Sequence, residues 1–402
     1  MDARGHRSYD GEPTLRLKPD RLQEQTGDPM NVDYSTLREQ KPFRWYVGSS
    51  SYALMCLTGT ALGEYNLNPD ACIEMHRKGR PLFRELFPDP AIREPSLSTP
   101  AVSYGHVNGL GSELRFPPAG ELIHTPIYDS LREGVDALKQ PVDFSQAGMA
   151  PFYLDFRRQL QDAFPGERVG FSFGFEGPIT TAYELRGQNF LLDVMDEPEL
   201  AAEFLEAVTA SSFEFAKFYA EVNGSTAFRE EGASMCDDVA SMIPASLFPT
   251  LVMPFWEQYY RDRTSGVRSA HVEDLRAEQL PFLEQIGLSS FDPSISSKLS
   301  PPLIRDGCRV PFGWRLGSFH YLDMVVSEVR DWVFQTVADG ASSVFTHIEA
   351  LLCRDENVPK VNAFIAACRE VQAMLESGAT RDDLGAEVSA SGRARFWDHW
   401  PE

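Results

Sequence analysis

Hydrophobic residues recur at helical spacing in several long segments of the chain. The clearest begins after Asp196, has Pro198 in its first turn, and ends at Asn223-Gly224. Three further segments with this spacing run from about Pro244 to Tyr260, from about His320 to Val337, and from about Asn357 to Leu375. A period of three to four residues is typical of amphipathic helices with one buried face, so we predict a helix in each segment.

Short runs rich in β-branched and aromatic residues lie between these helices. The predicted strands are Val169–Phe175, Ala227–Glu231, Gly266–Ala270, Leu288–Phe291, Val310–Trp314 and Ser342–Thr346. Alternation of such strands with helices is typical of parallel α/β architecture. A polar or charged group stands at the end of each strand, where the chemistry of an α/β barrel is located.

The two ends of the chain lack this pattern. Residues 1–42 are polar and without periodicity, so we expect an N-terminal arm or extension there. Residues 378–402 form a similar tail, in which Trp397 and Trp400 suggest docking onto the rest of the protein. One domain is therefore predicted over residues 43–377.

Charge and composition exclude several classes of protein. The chain carries 37 Lys and Arg against 59 Asp and Glu, a net charge of −22, which disfavours nucleic acid and anionic membranes as partners. Six scattered cysteines without a C-x-x-C pair indicate reduced thiols, and no signal peptide or membrane-length apolar run is visible, so a cytoplasmic location is expected. Dinucleotide-binding, P-loop and G-x-S-x-G motifs do not occur, which argues against nucleotide-binding and serine-hydrolase classes.

An H-x-E pair, formed by His271 and Glu273, follows one of the predicted core strands. Residues i and i+2 of an extended segment point to the same side, so an imidazole and a carboxylate can face one ion. His347 ends the last predicted strand in a similar way. Two histidines and one carboxylate suit Zn²⁺ or Fe²⁺, and the alternative is that each histidine caps its strand by hydrogen bonding.

Two adjacent carboxylates, Asp237 and Asp238, follow the predicted strand Ala227–Glu231. We expect them to orient substrate or hold a proton, and Asp237 is the better candidate for proton handling. The alternative for Asp238 is an N-cap, because Asp238 or Ser241 precedes the helix predicted near Pro244.

A turn at Gly177-Pro178 follows the predicted strand Val169–Phe175. Glu176, Tyr183 and Arg186 lie beside it, so this turn is a candidate site for substrate, with Tyr183 placed for catalysis and Arg186 for an anionic group. Arg186 can equally pair with one of the many surface carboxylates of the protein. Arg315, after the strand Val310–Trp314, is a further candidate substrate-binding residue.

Four passages resemble the uroporphyrinogen decarboxylase superfamily and cover most of residues 45–375. They are GPITTAYELRGQNFLLDVMDEPELAAEFLEAV (177–208), CDDVASMIPASLFPTLVMPFWEQYY (236–260), GLGSELRFPPAGELIHTPI (109–127) and LTGTALGEYNLNPDA (57–71). The resemblance implies a (β/α)₈ TIM barrel. True decarboxylases of the superfamily carry an N-terminal arginine motif, but this sequence reads SSSYALMCLTGTALGEY (49–65) there, which is closer to the metal-dependent methyltransferases.

Those methyltransferases bind zinc through an H-x-C motif and a distant cysteine. In this sequence His271 matches the histidine, Glu273 replaces the first cysteine, and His347 stands where the second is expected. Each replacement is itself a metal-binding residue type, so the resemblance implies a retained site with altered ligands, with Asp292 as a further candidate. Imidazole and carboxylate in place of thiolates make a bound ion a stronger Lewis acid and admit harder metals such as Fe²⁺.

These inferences predict a metal-dependent enzyme of the methyltransferase-like branch. It would move a methyl group to or from a small molecule, with a corrinoid on a partner protein as a candidate donor and Zn²⁺ as the first choice of metal. The alternatives are a metal-dependent lyase or decarboxylase acting on a small organic acid, and a ligand-binding barrel without catalysis. The sequence leaves open whether the protein is a homodimer.

Overall fold

Parallel strands dominate the computed structural model, which describes residues 32–118 and 120–397. The strands are β1 (Arg44–Ser49), β2 (Leu114–Arg115), β3 (Ile123–His124), β4 (Gly232–Cys236), β5 (Val267–His271), β6 (Leu288–Asp292), β7 (Gly313–Leu316) and β8 (Ser343–Ile348). Six of them form two parallel sheets, in the orders β1-β8-β7 and β4-β5-β6, while β2 and β3 form an antiparallel pair.

Helices fill most of the remaining chain. They are α1 (Leu37–Gln40), α2 (Ser51–Thr58), α3 (Leu62–Leu67), α4 (Pro69–Leu86), α5 (Gly105–Gly109), α6 (Leu131–Leu138), α7 (Ala150–Ala163), α8 (Pro178–Arg186), α9 (Phe190–Asp196), α10 (Pro198–Val222), α11 (Phe248–Leu251), α12 (Met253–Arg263), α13 (Pro281–Gln285), α14 (Pro301–Gly307), α15 (His320–Asp323), α16 (Val326–Ala338), α17 (Val358–Glu376), α18 (Arg381–Ala386) and α19 (Ala390–Trp397). None of the described helices combines the length and the apolar character that crossing a membrane requires.

Isolated parallel bridges connect further extended segments to the sheets. Val47 of β1 bridges to Ile92, Phe291 of β6 bridges to Phe312, and residues 98 and 102 bridge to residues 170 and 173. The predicted strand at 169–175 is therefore present only as single bridges. The described residues show a mixed α/β fold with parallel sheets, as predicted, but they do not form a continuous closed barrel.

Two of the four predicted long helices are continuous. Helix α10 ends at Val222, directly before Asn223-Gly224, and buries Phe204, Leu205 and Val208 against the core. Helix α17 covers the last predicted segment. The spacing of apolar residues therefore located both helices to within a residue or two.

The other two predicted helices are interrupted. The segment after Pro244 starts as a 3-10 turn and is interrupted at Val252, between α11 and α12, each of which has a proline in its first turn. Proline lacks an N–H and favours the start of a helix, which explains a restart rather than a continuous helix. Met324 and Val325 are extended and separate α15 from α16.

The strand predicted at Ala227–Glu231 is placed wrongly. The structure has β4 five residues later, at Gly232–Cys236, whereas residues 228–231 are exposed. Small residues form β4, and Met235 is its buried member. The earlier segment reads Ala-Phe-Arg-Glu-Glu, and its three charged residues face solvent.

The last residues of the predicted N-terminal arm contact the sheets. The Tyr34 hydroxyl donates to the Leu288 carbonyl at 2.8 Å, and Lys41 donates to the Ser289 carbonyl at 2.6 Å. At the other end, Arg381 donates to the Ala341 carbonyl at 3.0 Å, which attaches α18 beside α16. Residues 1–31 of the arm and residues 398–402 of the tail, including Trp400, lie outside the described residues.

Candidate functional site

Acidic and imidazole groups meet where β4, β5 and β6 end. The parallel register aligns Cys236 with His271, and His271 with Asp292. One ligand atom each from Asp238, His271 and Glu273 lies within 4.8 Å of the other two. Parallel strands that end at the same edge thus bring together residues from three separate parts of the sequence.

His271 is oriented by its neighbours on both ring nitrogens. Its Nδ1 lies 3.0 Å from the Asp292 carboxylate, while its Nε2 lies 3.6 Å from Glu273 and 3.8 Å from Asp238. Burial alone would lower the pKa of this imidazole, but the hydrogen bonds to Asp292 and Glu273 raise the pKa to about 10. A proton on Nδ1 that is donated to Asp292 leaves Nε2 as the ligand atom facing the other two carboxylates.

Asp238 does not cap the helix that follows it. Its carboxylate accepts a hydrogen bond from the backbone N–H of Glu273 at 2.9 Å. Burial raises the pKa of this carboxyl, and the Glu273 N–H and the charge of His271 partly offset that effect. The capping alternative is therefore replaced by a bond that fixes the end of β4 to the segment after β5.

Asp237 is fully buried and holds α8 in place. Its carboxylate accepts hydrogen bonds from the Thr180 N–H at 2.7 Å, the Ile179 N–H at 3.3 Å and the Trp256 indole N–H at 2.6 Å. Burial raises its pKa to about 6, against the lowering effect of these donors. A Cβ on Gly177 would lie 2.6 Å from the Asp237 side chain, so only glycine permits this close approach.

Glu176 is a second acidic group with an altered proton affinity. Burial raises its pKa to about 7, helped by the charges of Asp238 and Asp237, while a hydrogen bond with Ser103 and the charge of His271 lower it. A carboxyl with this pKa exchanges its proton near neutral pH, as a general acid or base must.

Glu184, on α8, was missed by the sequence analysis. It is 4% exposed, and burial together with the charges of Glu176 and Asp237 raises its pKa well above the ordinary value. The signal in the sequence is its position four residues after Thr180, which places both on one face of a helix. That spacing alone does not distinguish a buried acid from a solvated one.

Tyr183 and Arg186 lie on the same helix. Tyr183 is partly buried and packs against the core, whereas Arg186 is bound by Asp193 at 2.8 Å, with both side chains largely shielded from solvent. Arg186 also donates to the Tyr128 carbonyl at 3.4 Å. Arg186 therefore forms an ion pair, as the alternative interpretation expected, but its partner Asp193 is a largely shielded carboxylate and not one on the surface.

His347 lies at the edge of the other sheet, in different surroundings. It is paired in register with Gly48, where a Cβ would lie 3.0 Å from the imidazole, and its ring meets Tyr46 edge-on at 5.6 Å. Burial, and then the charge of Arg315, lowers its pKa. Among the described residues, His347 is not part of the group of ligand atoms formed by the other three, and its role as a ligand stays a prediction.

Arg315 is held beside His347 by Glu349. Its guanidinium lies 3.1 Å from the Glu349 carboxylate, whose other oxygen accepts a hydrogen bond from the Ser318 hydroxyl at 2.8 Å. The hydrogen bond with His271 lowers the pKa of Glu273 against the effect of burial, and the Arg315 charge adds to this lowering. Arg315 thus places a positive charge between the two edges, where an anionic substrate group could be bound.

Comparisons with known proteins identify relatives of this chain. A family model described as uroporphyrinogen decarboxylase (URO-D) matches residues 48–296. A methyltransferase from Methanosarcina mazei is similar in structure, with a TM-score of 0.59 and 18% identity over 84% of this chain and 97% of that one. The carboxyl transferase domain of Rhizobium etli pyruvate carboxylase with 3-hydroxypyruvate gives a TM-score of 0.28 and 8% identity, covering 89% of this chain and 50% of that one.

No curated protein matches the chain. At 18% identity the archaeal methyltransferase establishes a shared fold, and a TM-score of 0.28 establishes nothing for the second structure. The match to the family model covers more than half of the sequence, including β4, β5 and His271. The chain therefore belongs to the uroporphyrinogen decarboxylase (URO-D) family.

Proposed function

We propose that the protein is a metal-dependent transferase of the methyltransferase-like branch of its family. It would move a methyl group to or from a small molecule, with a corrinoid partner as a candidate donor. The observation that carries the proposal is the convergence of Asp238, His271 and Glu273 at the ends of neighbouring parallel strands. Structural likeness to a methyltransferase supports the fold that this chemistry needs.

The proposal includes closure of the strands into one (β/α)₈ barrel. Parallel bridges link β1 to residue 92, residues 98 and 102 to residues 170 and 173, and β6 to the start of β7. The Gly177 N–H also donates to the Cys236 carbonyl, at the end of β4. These contacts support a ring of eight parallel segments, in which the two edges described above belong to one C-terminal face.

The residues at the site fit a divalent ion. One imidazole and two carboxylates are available, and Asp292 can hold the imidazole in the tautomer that leaves Nε2 free for the metal. This nitrogen–oxygen set suits Zn²⁺ first and Fe²⁺ as an alternative. In the proposed ligand set Asp238 replaces His347, which the resemblance to zinc-binding methyltransferases implied as the third ligand. A bound ion would supply Lewis acidity for activating an acceptor or polarising a donor.

The remaining groups would bind substrate and handle protons. We assign proton transfer to Glu176 instead of Asp237, because the pKa of Glu176 is raised to about 7 while the Asp237 carboxylate is buried and already accepts three donors. Arg315 would orient an anionic group of the substrate. Arg186 is left out of the proposed site because Asp193 binds it.

Metal analysis tests the first step of the proposal. Protein purified without a His-tag should contain about one equivalent of a transition metal, and His271→Ala should lose it. A content below about half an equivalent that is unchanged in His271→Ala would contradict the metal site. Transfer of a methyl group from methylcobalamin to a thiol then tests the reaction.

A metal-dependent lyase or decarboxylase is the second candidate function. It is favoured by the family match and by Glu176, whose raised pKa suits protonation of a carbanion after loss of CO₂. Release of CO₂ from small organic acids, without methyl transfer, would select this alternative. The cytoplasmic location and the corrinoid partner stay predictions.

A further inference from the structure

Two cysteines that are far apart in the sequence meet beside the ends of β1 and β8. Cys56 lies on α2, which follows β1, and Cys353 ends the 3-10 helix Ala350–Cys353, which follows β8. Because β1 and β8 are neighbours in one parallel sheet, the segments that follow them pack against each other. The two thiols are therefore brought to the same place by the fold.

The contacts of the two thiols are reciprocal. The Cys56 sulfur lies 3.7 Å from the Ala350 carbonyl oxygen, and the Cys353 sulfur lies 3.9 Å from the Ala53 carbonyl oxygen. Each sulfur thus contacts the residue three positions before the other cysteine, one helical turn away. This reciprocal arrangement places the two cysteine side chains next to each other, between the helical turns that precede Cys56 and Cys353.

Exposure distinguishes the two thiols from each other and from the three buried cysteines. Cys56 is exposed, Cys353 is partly buried, and three further cysteines (Cys72, Cys308 and Cys368) are buried. Burial, and then the charge of Cys56, raises the pKa of Cys353 to about 12. Of these two thiols, an oxidant in solution reaches Cys56 before Cys353, and Cys353 is the thiol placed to react with the product.

We propose that Cys56 and Cys353 form a disulfide when the protein meets hydrogen peroxide. The Cys56 thiolate attacks the peroxide, an S–O bond forms as the O–O bond breaks, and water leaves after protonation. The Cys353 sulfur then attacks the resulting sulfenic acid, so that the S–S bond forms, the S–O bond breaks and a second water leaves. In total, two thiols are oxidised to one disulfide and one molecule of hydrogen peroxide is reduced to two molecules of water.

The bond would connect two segments at the rim of the candidate site. Glu349, which holds Arg315, directly precedes the 3-10 helix that ends at Cys353. Tyr52, on α2, is 49% exposed, and burial together with the charges of Glu121 and Glu349 raises its pKa. Oxidation would therefore restrict motion between these segments. Formation of the disulfide does not depend on the proposed function.

Peptide mapping of the full-length protein tests the proposal. Reduced protein is treated with hydrogen peroxide, blocked with iodoacetamide and digested without reductant. We expect a linked peptide pair that contains Cys56 and Cys353, and a loss of two titratable thiols. The pair should be absent in Cys56→Ser and in Cys353→Ser, and present in Cys236→Ser, which removes another exposed thiol.

Two further measurements keep the test decisive if one variant folds poorly. Because the pKa of Cys353 is raised, the linked pair should form faster as the pH rises from 7 to 9 in the unmodified sequence. Oxidation should raise the midpoint of thermal unfolding by about 4 °C, and reductant should reverse it. Sulfinic acid at Cys56 without a linked pair, or a pair between two protein molecules, would overturn the proposal.

Discussion

The ends of β5 and β8 each present a histidine, but the two histidines have opposite surroundings. His271 faces three carboxylates, those of Asp238, Glu273 and Asp292. His347 packs against aromatic rings, and the acid beside it, Glu349, is bound by Arg315. The same residue type at matching strand ends therefore has a raised pKa at one edge and a lowered pKa at the other.

This difference shows how a metal site is distinguished from its surroundings. A cation is favoured where several carboxylates face one imidazole and none of them is paired with an arginine. Where an arginine is already paired with the acid, the edge is better suited to an anion. We therefore expect the metal at the β4-β5-β6 edge and an anionic substrate group at the β1-β8-β7 edge.

The largest expected difference between the two edges is in the metal affinity of the two single-histidine variants. His271→Ala removes the only imidazole from the proposed ligand group, so metal affinity should fall by about 1000-fold. His347→Ala should keep its metal, with a change in affinity below about fivefold. Competition with a chromogenic chelator measures both affinities, and circular dichroism checks that each variant folds.

The opposite result would restore the ligand set predicted from the sequence. If His347→Ala loses the metal as fully as His271→Ala does, then His347 is a ligand and Asp238 is not needed. Asp238→Asn resolves this case, because it should weaken metal binding only if the carboxylate is coordinated.

The sequence located much of the β4-β5-β6 edge. His271 and Glu273 stand two residues apart at a strand end, and that local pattern is visible without a structure. Asp238 was identified as chemically important, but its nearness to His271 depends on the register of two parallel strands. Register between strands that are separated by helices is a tertiary property, so the sequence could not assign this third group.

The other edge was harder to predict for the same reason. The pattern around His347 matched a ligand position, yet the environment of His347 depends on Tyr46 and Gly48, which lie far away in the sequence. Arg186 and its partner Asp193 are seven residues apart, and nothing local indicates that they pair. Glu184 shows the converse, since its burial and the neighbouring Glu176 and Asp237 raise its pKa, which its position on a helix does not reveal.

Asp292→Asn should have the next largest effect. Its carboxylate accepts from His271 Nδ1, so the amide would weaken control of the tautomer and lower metal affinity by about 10- to 100-fold. Glu349→Gln is the matched control at the other edge and should change metal affinity by less than about twofold. Isothermal titration with Zn²⁺ measures both. Equal effects of the two changes would mean that the edges do not differ in the way proposed.

In the metal-free protein, the contributions of the two histidines to stability should change with pH in opposite directions. His271 has a folded pKa of about 10, above the ordinary 6.5, so its contribution to stability is present below pH 6.5 and is lost as the pH rises towards 10. The pKa of His347 is lowered, so its contribution is present above pH 6.5 and is lost as the pH falls. NMR titration of the imidazole Hε1 signals checks both, with His271→Gln and His347→Gln to assign them.

Interruption of the ion pair between Arg315 and Glu349 should have the smallest effect on stability. The two side chains are 24% and 33% exposed, and pairs that reach solvent contribute less than about 1 kcal/mol to the free energy of unfolding. Denaturant unfolding of Arg315→Gln, Glu349→Gln and the double variant gives the coupling energy directly. A coupling above about 2 kcal/mol would indicate a structural pair. A small coupling leaves Arg315 free to exchange Glu349 for an anionic substrate, which is the role that the comparison of the two edges gives it.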